Sequence, residues 1–351
     1  MATLAERVLA GEPRAIARAI SLIEDEDPAS ADLIGEIFSR TGRAYLIGVT
    51  GPPGAGKSTL VDRLVSAIRT QTPQSQQSTQ SQSHEPSAVS VPGAFRSVGV
   101  IAVDPTSPFS GGAVLGDRLR MQAHAADEDV FIRSMATRGH LGGLSRSTGD
   151  AALVLDAAGK DAIIIETVGV GQDEVDIIRT ADVSIVTLVP GTGDDVQALK
   201  AGIMEIADIF VINKADREGA DRLVSSVESN LALHNYGSGE WRPPVLKTVA
   251  TTGAGMGELV DAIAQFRAHS SHVHAARRRT RSEFRLRELV SYRFMDHLER
   301  EVLAAGELGA MVDRIAAREL DPYTAANELL TRALGSTGQL PTHPVTRSST
   351  S

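Results

Sequence analysis

The sequence predicts an α/β protein: a mostly parallel sheet with helices on both faces. Three observations predict it. Short apolar runs recur at Ala44–Val49, Val98–Val103, Ala162–Ile165, Val183–Val189, Ile209–Ile212 and Val245–Thr248, and amphipathic helical patterns separate them. Strands that alternate with helices pair in parallel, because a parallel crossover needs a dozen or more residues. Gly51, Asp104, Glu166 and Asn213, the residues with evident chemistry, all follow the C-terminal ends of such runs, where ligands gather in open parallel sheets.

Taken in order, residues 3–40 read as helical, with Leu4, Val8 and Leu9, then Pro13 opening a stretch through Ile16, Ile20 and Ile23, then Leu33, Ile34 and Ile37. This gives an N-terminal helical extension over 1–42, ahead of the α/β domain over 43–269. Within that domain, 71–94 is rich in Gln, Ser and Pro and nearly lacks large apolar residues, so it reads as a disordered insertion. Phe131-Ile-Arg133 suggests a short strand, and helices are expected over Ser147–Ala158, Glu174–Thr180, Gln197–Ile206, Arg217–His234 and Gly257–His269. Residues 270–334 turn to charged amphipathic helix carrying Leu286, Leu289, Val290, Phe294 and Leu298; an apolar stripe beyond a complete sheet suits a second copy of the chain. The tail 335–351 is Ser/Thr/Pro-rich and expected to be disordered.

Composition narrows the classes. The 351 residues carry a formal net charge of −9, which disfavours nucleic acid or an anionic membrane as partner. There is no cysteine, so disulfide frameworks and thiolate metal sites are impossible. With no long apolar span and no signal-peptide layout, the expected location is the cytoplasm.

The chemistry centres on Gly51-Pro52-Pro53-Gly54-Ala55-Gly56-Lys57-Ser58-Thr59, a glycine-rich loop between an apolar strand and a helix. Its glycines let successive N–H groups point at an anion, and the helix N-terminus adds favourable dipole. Lys57 suits the β- and γ-phosphates and the Ser58 hydroxyl suits Mg²⁺, so the loop predicts a P-loop NTPase. Asn213-Lys214-Ala215-Asp216 closes a later strand. A carboxylate at Asp216 accepts from the ring N–H and exocyclic amine of guanine, whereas adenine would leave it unpaired, which selects GTP over ATP. Ala250 and Thr251, after the next strand, can offer backbone contacts to the same base.

Glu166-Thr-Val-Gly169 sits where a strand-end acid meets the Mg²⁺ shell and the Gly169 N–H reaches the γ-phosphate, and Asp104 and Asp117 are further oxygen donors. The alternative for each acid is an ordinary strand-end or helix-capping carboxylate. Gln172 can orient the attacking water, or be a solvated loop amide. The loop from Pro190 through Asp194 and Asp195 to Lys200 reads as a moving segment that reports nucleotide state, or as a static connector. His269, His272 and His274 lack a companion carboxylate or thiolate and read as a polar helix start rather than a metal site.

Six stretches together resemble the MeaB/ArgK GTPases, accessory proteins of adenosylcobalamin-dependent acyl-CoA mutases. They are Gly51 to Thr59, Val103-Asp-Pro-Thr-Ser-Pro108, Gly116-Asp-Arg-Leu-Arg-Met121, Met135-Ala-Thr-Arg-Gly-His-Leu-Gly-Gly143, Glu166-Thr-Val-Gly-Val-Gly-Gln172 and Asn213 to Asp216. The resemblance implies a C-terminal helical dimerisation arm over 270–334 and a homodimer. It implies Mg²⁺-dependent GTP hydrolysis coupled to protecting a methylmalonyl-CoA-mutase-type enzyme and gating its cobalamin loading. By motif position Lys57 and Ser58 contact phosphate and Mg²⁺, Asp104, Asp117 and Glu166 are acidic switch residues, and Lys200 belongs to a further switch loop. Two departures stand out: the 71–94 insertion, and Ala250-Thr-Thr252 in place of a Ser-Ala-Leu-like turn. Competing readings are a P-loop kinase of a transport system and a metal-delivering GTPase.

Overall fold

Seven strands, all paired in parallel, form one sheet in the order β3-β2-β4-β1-β5-β6-β7. They are β1 (Tyr45–Thr50), β2 (Val98–Asp104), β3 (Val130–Ala136), β4 (Ala162–Glu166), β5 (Val183–Leu188), β6 (Ile209–Ile212) and β7 (Val245–Lys247). The computed structural model describes residues 2–71, 95–104, 122–124, 126–136, 146–167, 180–191 and 203–335. The expected insertion over 71–94 except Gln71, the helix near Glu174–Thr180 except Thr180, residues 197–202 of the helix expected over Gln197–Ile206, and the tail 335–351 except Gly335 lie outside those residues.

The described helices are α1 (Leu4–Leu9), α2 (Pro13–Glu24), α3 (Ala29–Ile37), α4 (Lys57–Gln71), α5 (Arg146–Ala157), α6 (Ile203–Ile206), α7 (Ala220–Leu231), α8 (Met256–His269), α9 (His274–His297), α10 (Glu307–Ala316) and α11 (Pro322–Leu334). Strand side chains alternate between two apolar layers, as a period of two demands. Ile164 of β4 joins Leu60, Leu64 and Ile68 of α4 and Leu259, Ile263 and Phe266 of α8 on one face. Its neighbours Ile163 and Ile165 join Val8, Ile16, Ile20 and Ile37 of the N-terminal helices and Leu155 of α5 on the other. The helical extension therefore covers one face of the sheet, and its apolar periodicity is the imprint of that burial. A third cluster seals β5 and β6 with Leu223 and Val227 of α7.

Most expected elements shift by a residue or so at their ends, and two differences in extent have a clear cause. The short strand at Phe131 is seven residues long, Val130–Ala136, because edge position lets polar Arg133 and Ser134 continue a ladder that pairs on one side only. The helix expected from Arg217 begins at Ala220, since Gly219 has φ +93° and Arg217 is held in a turn by its N–H to the Lys214 carbonyl.

The entry to β1 is fixed by buried acids. Asp156 of α5 accepts from the backbone N–H groups of Gly42, Arg43 (3.2 Å) and Ala44 (3.0 Å), and Asp182 accepts from Leu46 N–H at 2.9 Å. Tyr45 stacks on Phe95 with the Arg267 guanidinium over both rings, and burial pushes its hydroxyl pKa up.

The chain divides into two units, Met1–Arg277 and Arg278–Ser351. In the second, Arg332 of α11 pairs with Glu307 at the start of α10, and Asp321 caps α11 by accepting from Tyr323 and Thr324 N–H at 3.0 Å. Leu286, Val290, Val312 and Tyr323 are exposed there. Among the described residues no helix is long and apolar enough to cross a membrane.

Candidate functional site

The C-terminal ends of β1, β2, β4 and β6 lie along one edge of the sheet, and the loop from Gly51 to Gly56 leaves β1 there to enter α4. Two glycines in it are steric requirements. Gly51 (φ +138°) packs against β5 so closely that a Cβ would lie 2.0 Å from the Thr187 carbonyl oxygen. Gly56 (φ +83°) leaves room for the Asn213 amide, 2.7 Å from where its Cβ would be. Lys57 is buried, and its ammonium donates to the carbonyls of Gly51 (2.7 Å) and Pro52 (3.2 Å), which holds it across the loop.

Ser58, at the start of α4, donates its hydroxyl to Glu166 Oε1 at 2.6 Å, with both residues buried. Next to them Thr167 continues β4 past its end: its N–H donates to the Val49 carbonyl (3.0 Å) and its hydroxyl to that of Thr50 (2.9 Å). A hydroxyl and a carboxylate oxygen at hydrogen-bond distance are the hard donors that Mg²⁺ takes, so this pair fits the ion. Asp104 ends β2, and Ala102 of that strand registers with Glu166. The side chain of Asp104 lies outside the described set, as do Asp117, Gly169, Gln172, Asp194, Asp195 and Lys200.

Asn213 is the second centre of the site. Fully buried, it donates its amide to the Ala55 carbonyl (2.8 Å) and accepts at Oδ1 from the Thr248 hydroxyl (3.2 Å) and the Ala250 N–H (3.1 Å). Lys214 adopts φ +56° and reaches back to the Gly54 carbonyl at 2.8 Å. Ala215 N–H donates to the Thr248 carbonyl, which ties this turn to the end of β7, while Asp216 stays exposed. The loop after β7 closes on itself through Val249 N–H to the Ala254 carbonyl, with Gly255 at φ +80° against the Lys247 carbonyl.

Lys57, Ser58 and Glu166 are therefore brought together, as are the phosphate loop, Asn213, Lys214, Ala250 and Thr251. The sequence reading missed Thr50, Thr167 and Thr248, whose hydroxyls knit these loops; their position at or just past strand ends was the available signal. Among the described residues no group of three or more His, Asp and Glu side chains has metal-site geometry.

The family described as methylmalonyl-CoA mutase-associated GTPase MeaB matches residues 16–76 and 84–303, and the match breaks inside the Gln/Ser-rich stretch. A protein of Pyrococcus abyssi that carries the name GTPase is 47% identical over 338 residues, covering 95% of this chain and 96% of its own. A mouse (Mus musculus) protein named methylmalonic aciduria type A homolog, mitochondrial, is 31% identical, covering 91% of this chain and 76% of its own. Among solved structures, an LAO/AO transport system kinase superposes with TM-score 0.66 at 26% identity, covering 95% of this chain and 97% of that one. With the phosphate loop and the strand-end residues in the arrangement above, this chain belongs to the MeaB family and is a P-loop GTPase.

Proposed function

We propose that this GTPase is a nucleotide-dependent chaperone that protects an adenosylcobalamin-dependent acyl-CoA mutase, of the methylmalonyl-CoA mutase type, and gates loading of its cofactor. The family description and the mouse relative's name support the partner class. The observation that carries the switch reading is the 2.6 Å hydrogen bond from Ser58 to Glu166. It joins the first turn of the phosphate helix to the last residue of β4, so a ligand that takes the Ser58 hydroxyl must alter what Glu166, and the chain that follows it, is bonded to.

In this reading the backbone of Gly51-Pro52-Pro53-Gly54-Ala55-Gly56 and Thr59 cradles the phosphates, Lys57 neutralises them, and Gly169 meets the terminal one. Ser58 and Glu166, with Asp104 and Asp117, hold Mg²⁺, which when bound neutralises charge on the phosphate oxygens. Gln172 orients the attacking water. Asn213 and Lys214 brace the base loop, Asp216 reads the guanine edge, and Ala250 and Thr251 line it. The loop carrying Asp194, Asp195 and Lys200 reports the nucleotide state to the mutase. The chain acts in the cytoplasm as a homodimer built through 270–334, without nucleic acid or membrane as partner.

The test is titration of the purified chain against such a mutase from the same organism, with GDP and then with a non-hydrolysable GTP analogue. The reading expects a complex whose affinity differs between the two nucleotides, and slower inactivation of the mutase under turnover when the chain is present. No complex with either nucleotide would overturn it. A second reading, phosphotransfer to a small molecule, draws on the likeness to the transport system kinase. Label from γ-labelled GTP appearing on an amino acid or protein, rather than in inorganic phosphate, would favour it.

A further inference from the structure

Arg63 lies on α4 fewer than two turns beyond Lys57, on the exposed side of that helix. Its guanidinium is committed to the base loop: Nε donates to the Ala250 carbonyl at 3.2 Å and an η nitrogen donates to the Thr251 carbonyl at 3.2 Å. From the opposite side of the same peptide run, Asn213 Oδ1 takes the Ala250 N–H. The loop is thus gripped from both sides. The Ala250 and Thr251 carbonyls are turned toward α4 and the Ala250 N–H toward Asn213, with Asp216 in the same turn as that asparagine.

A carbonyl turned away is a carbonyl kept off the ligand. A purine with an oxo group at position 6, such as guanine, needs donors from this loop, and one with an amino group there, such as adenine, needs acceptors. Locking the Ala250 and Thr251 carbonyls onto Arg63 removes the acceptors that an amino-purine would use. The planar fork of arginine suits the task, because it holds its donors in a fixed geometry, with Nε and an η nitrogen each meeting one of two adjacent carbonyls.

We propose that Arg63 is a specificity-determining positioning residue: it fixes the Ala250–Thr251 backbone against the phosphate helix so that the base loop discriminates 6-oxo from 6-amino purines. The inference rests on the reading of this loop as the base pocket. Arg63 touches neither the phosphates nor the base and acts through the loop alone. It also ties the base loop to α4, the helix that the phosphate loop enters.

The experiment measures equilibrium binding of GDP, ADP and inorganic tripolyphosphate to the full chain and to Arg63→Ala and Arg63→Lys, with thermal unfolding in the absence of nucleotide as a folding control. Arg63→Ala is expected to weaken GDP about fivefold or more, the scale of a charge-assisted hydrogen bond at a solvent-facing position. ADP is expected to bind as tightly as to the wild type or more tightly, with tripolyphosphate unchanged within about twofold, so the GDP-to-ADP preference falls. Arg63→Lys should recover part of that preference. If Arg63→Ala weakens all three ligands alike, or keeps the wild-type preference, the inference is overturned while the base-pocket reading stands. If the wild-type chain shows no preference for GDP over ADP, the base-pocket reading itself fails, and the inference with it.

Discussion

The Asn213 amide donates to the Ala55 carbonyl at 2.8 Å, joining the strand-end turn after β6 directly to the phosphate loop after β1. With the Thr248 hydroxyl and the Ala250 N–H on its other end, this one side chain spans three loops from three strands. Asn213→Ala would leave those partners buried and unpaired, and a loss of about 2–4 kcal/mol in stability is expected from chemical unfolding without nucleotide. A loss within experimental error would show that the three loops hold their positions without it.

Asp156 plays the corresponding part at the other end of β1. It gathers the N–H groups of Gly42, Arg43 and Ala44, where the chain passes from the N-terminal helices into the sheet. Asp156→Ala is expected to lower stability by about 2–3 kcal/mol while GDP affinity holds in the folded protein. A large fall in GDP affinity at full folding would instead mean that the start of β1 is coupled to the phosphate loop.

Much of this was legible in the sequence, for reasons that differ by residue. The strands around Ile47, Ile164, Ile185 and Val211 are buried on both faces, so they appear as largely apolar runs, broken in the third only by the buried hydroxyls of Ser184 and Thr187. Gly51 and Gly56 are sterically compelled, so the phosphate loop keeps a readable spacing. Asp156 and Arg63 left no such trace: a buried acid that meets backbone N–H groups more than a hundred positions away looks like any helix acid. An arginine that grips two carbonyls looks like any exposed helix cation. Their partners are backbone atoms, which have no letter in the sequence.

Asp208 gives the sheet a pH dependence. Burial pushes its pKa from 3.8 up to about 6, against the opposing pull of the Ser184 N–H and of Arg277. Because the folded value is the higher one, its favourable contribution is complete below the unfolded pKa and is lost as pH rises through about 6. Asp208→Asn, which keeps an acceptor for Ser184, is therefore expected to stabilise the protein by about 2 kcal/mol at about pH 7.5 and by little at about pH 4. Thermal melting across that range checks it; a benefit that grows as pH falls would contradict the sign.

The proposed role of the Ser58–Glu166 pair in holding Mg²⁺ predicts how hydrolysis responds to the ion. Chelation of divalent ions is expected to abolish GTP hydrolysis while GDP still binds through Lys57 and the loop. Glu166→Gln, which replaces an anionic donor with a neutral one, should raise the Mg²⁺ concentration needed for half-maximal rate and lower the rate at least tenfold, roughly one increment of 1.4 kcal/mol or more in the barrier. Steady-state phosphate release against Mg²⁺ reads both effects, and an unchanged Mg²⁺ dependence would remove Glu166 from the ion's shell.

Asp216 is the proposed reader of the base. Its carboxylate matches two donors on guanine; an amide, with one donor and one acceptor, matches xanthine, whose position 2 carries an oxo group instead of an amine. The decisive measurement is phosphate release from GTP, ATP and XTP by the wild-type chain and by Asp216→Asn. The wild type is expected to consume GTP in strong preference to ATP and XTP, and Asp216→Asn to lose GTP and gain XTP. Wild-type turnover of ATP as fast as GTP, or an Asp216→Asn variant that keeps its preference for GTP, would contradict that role.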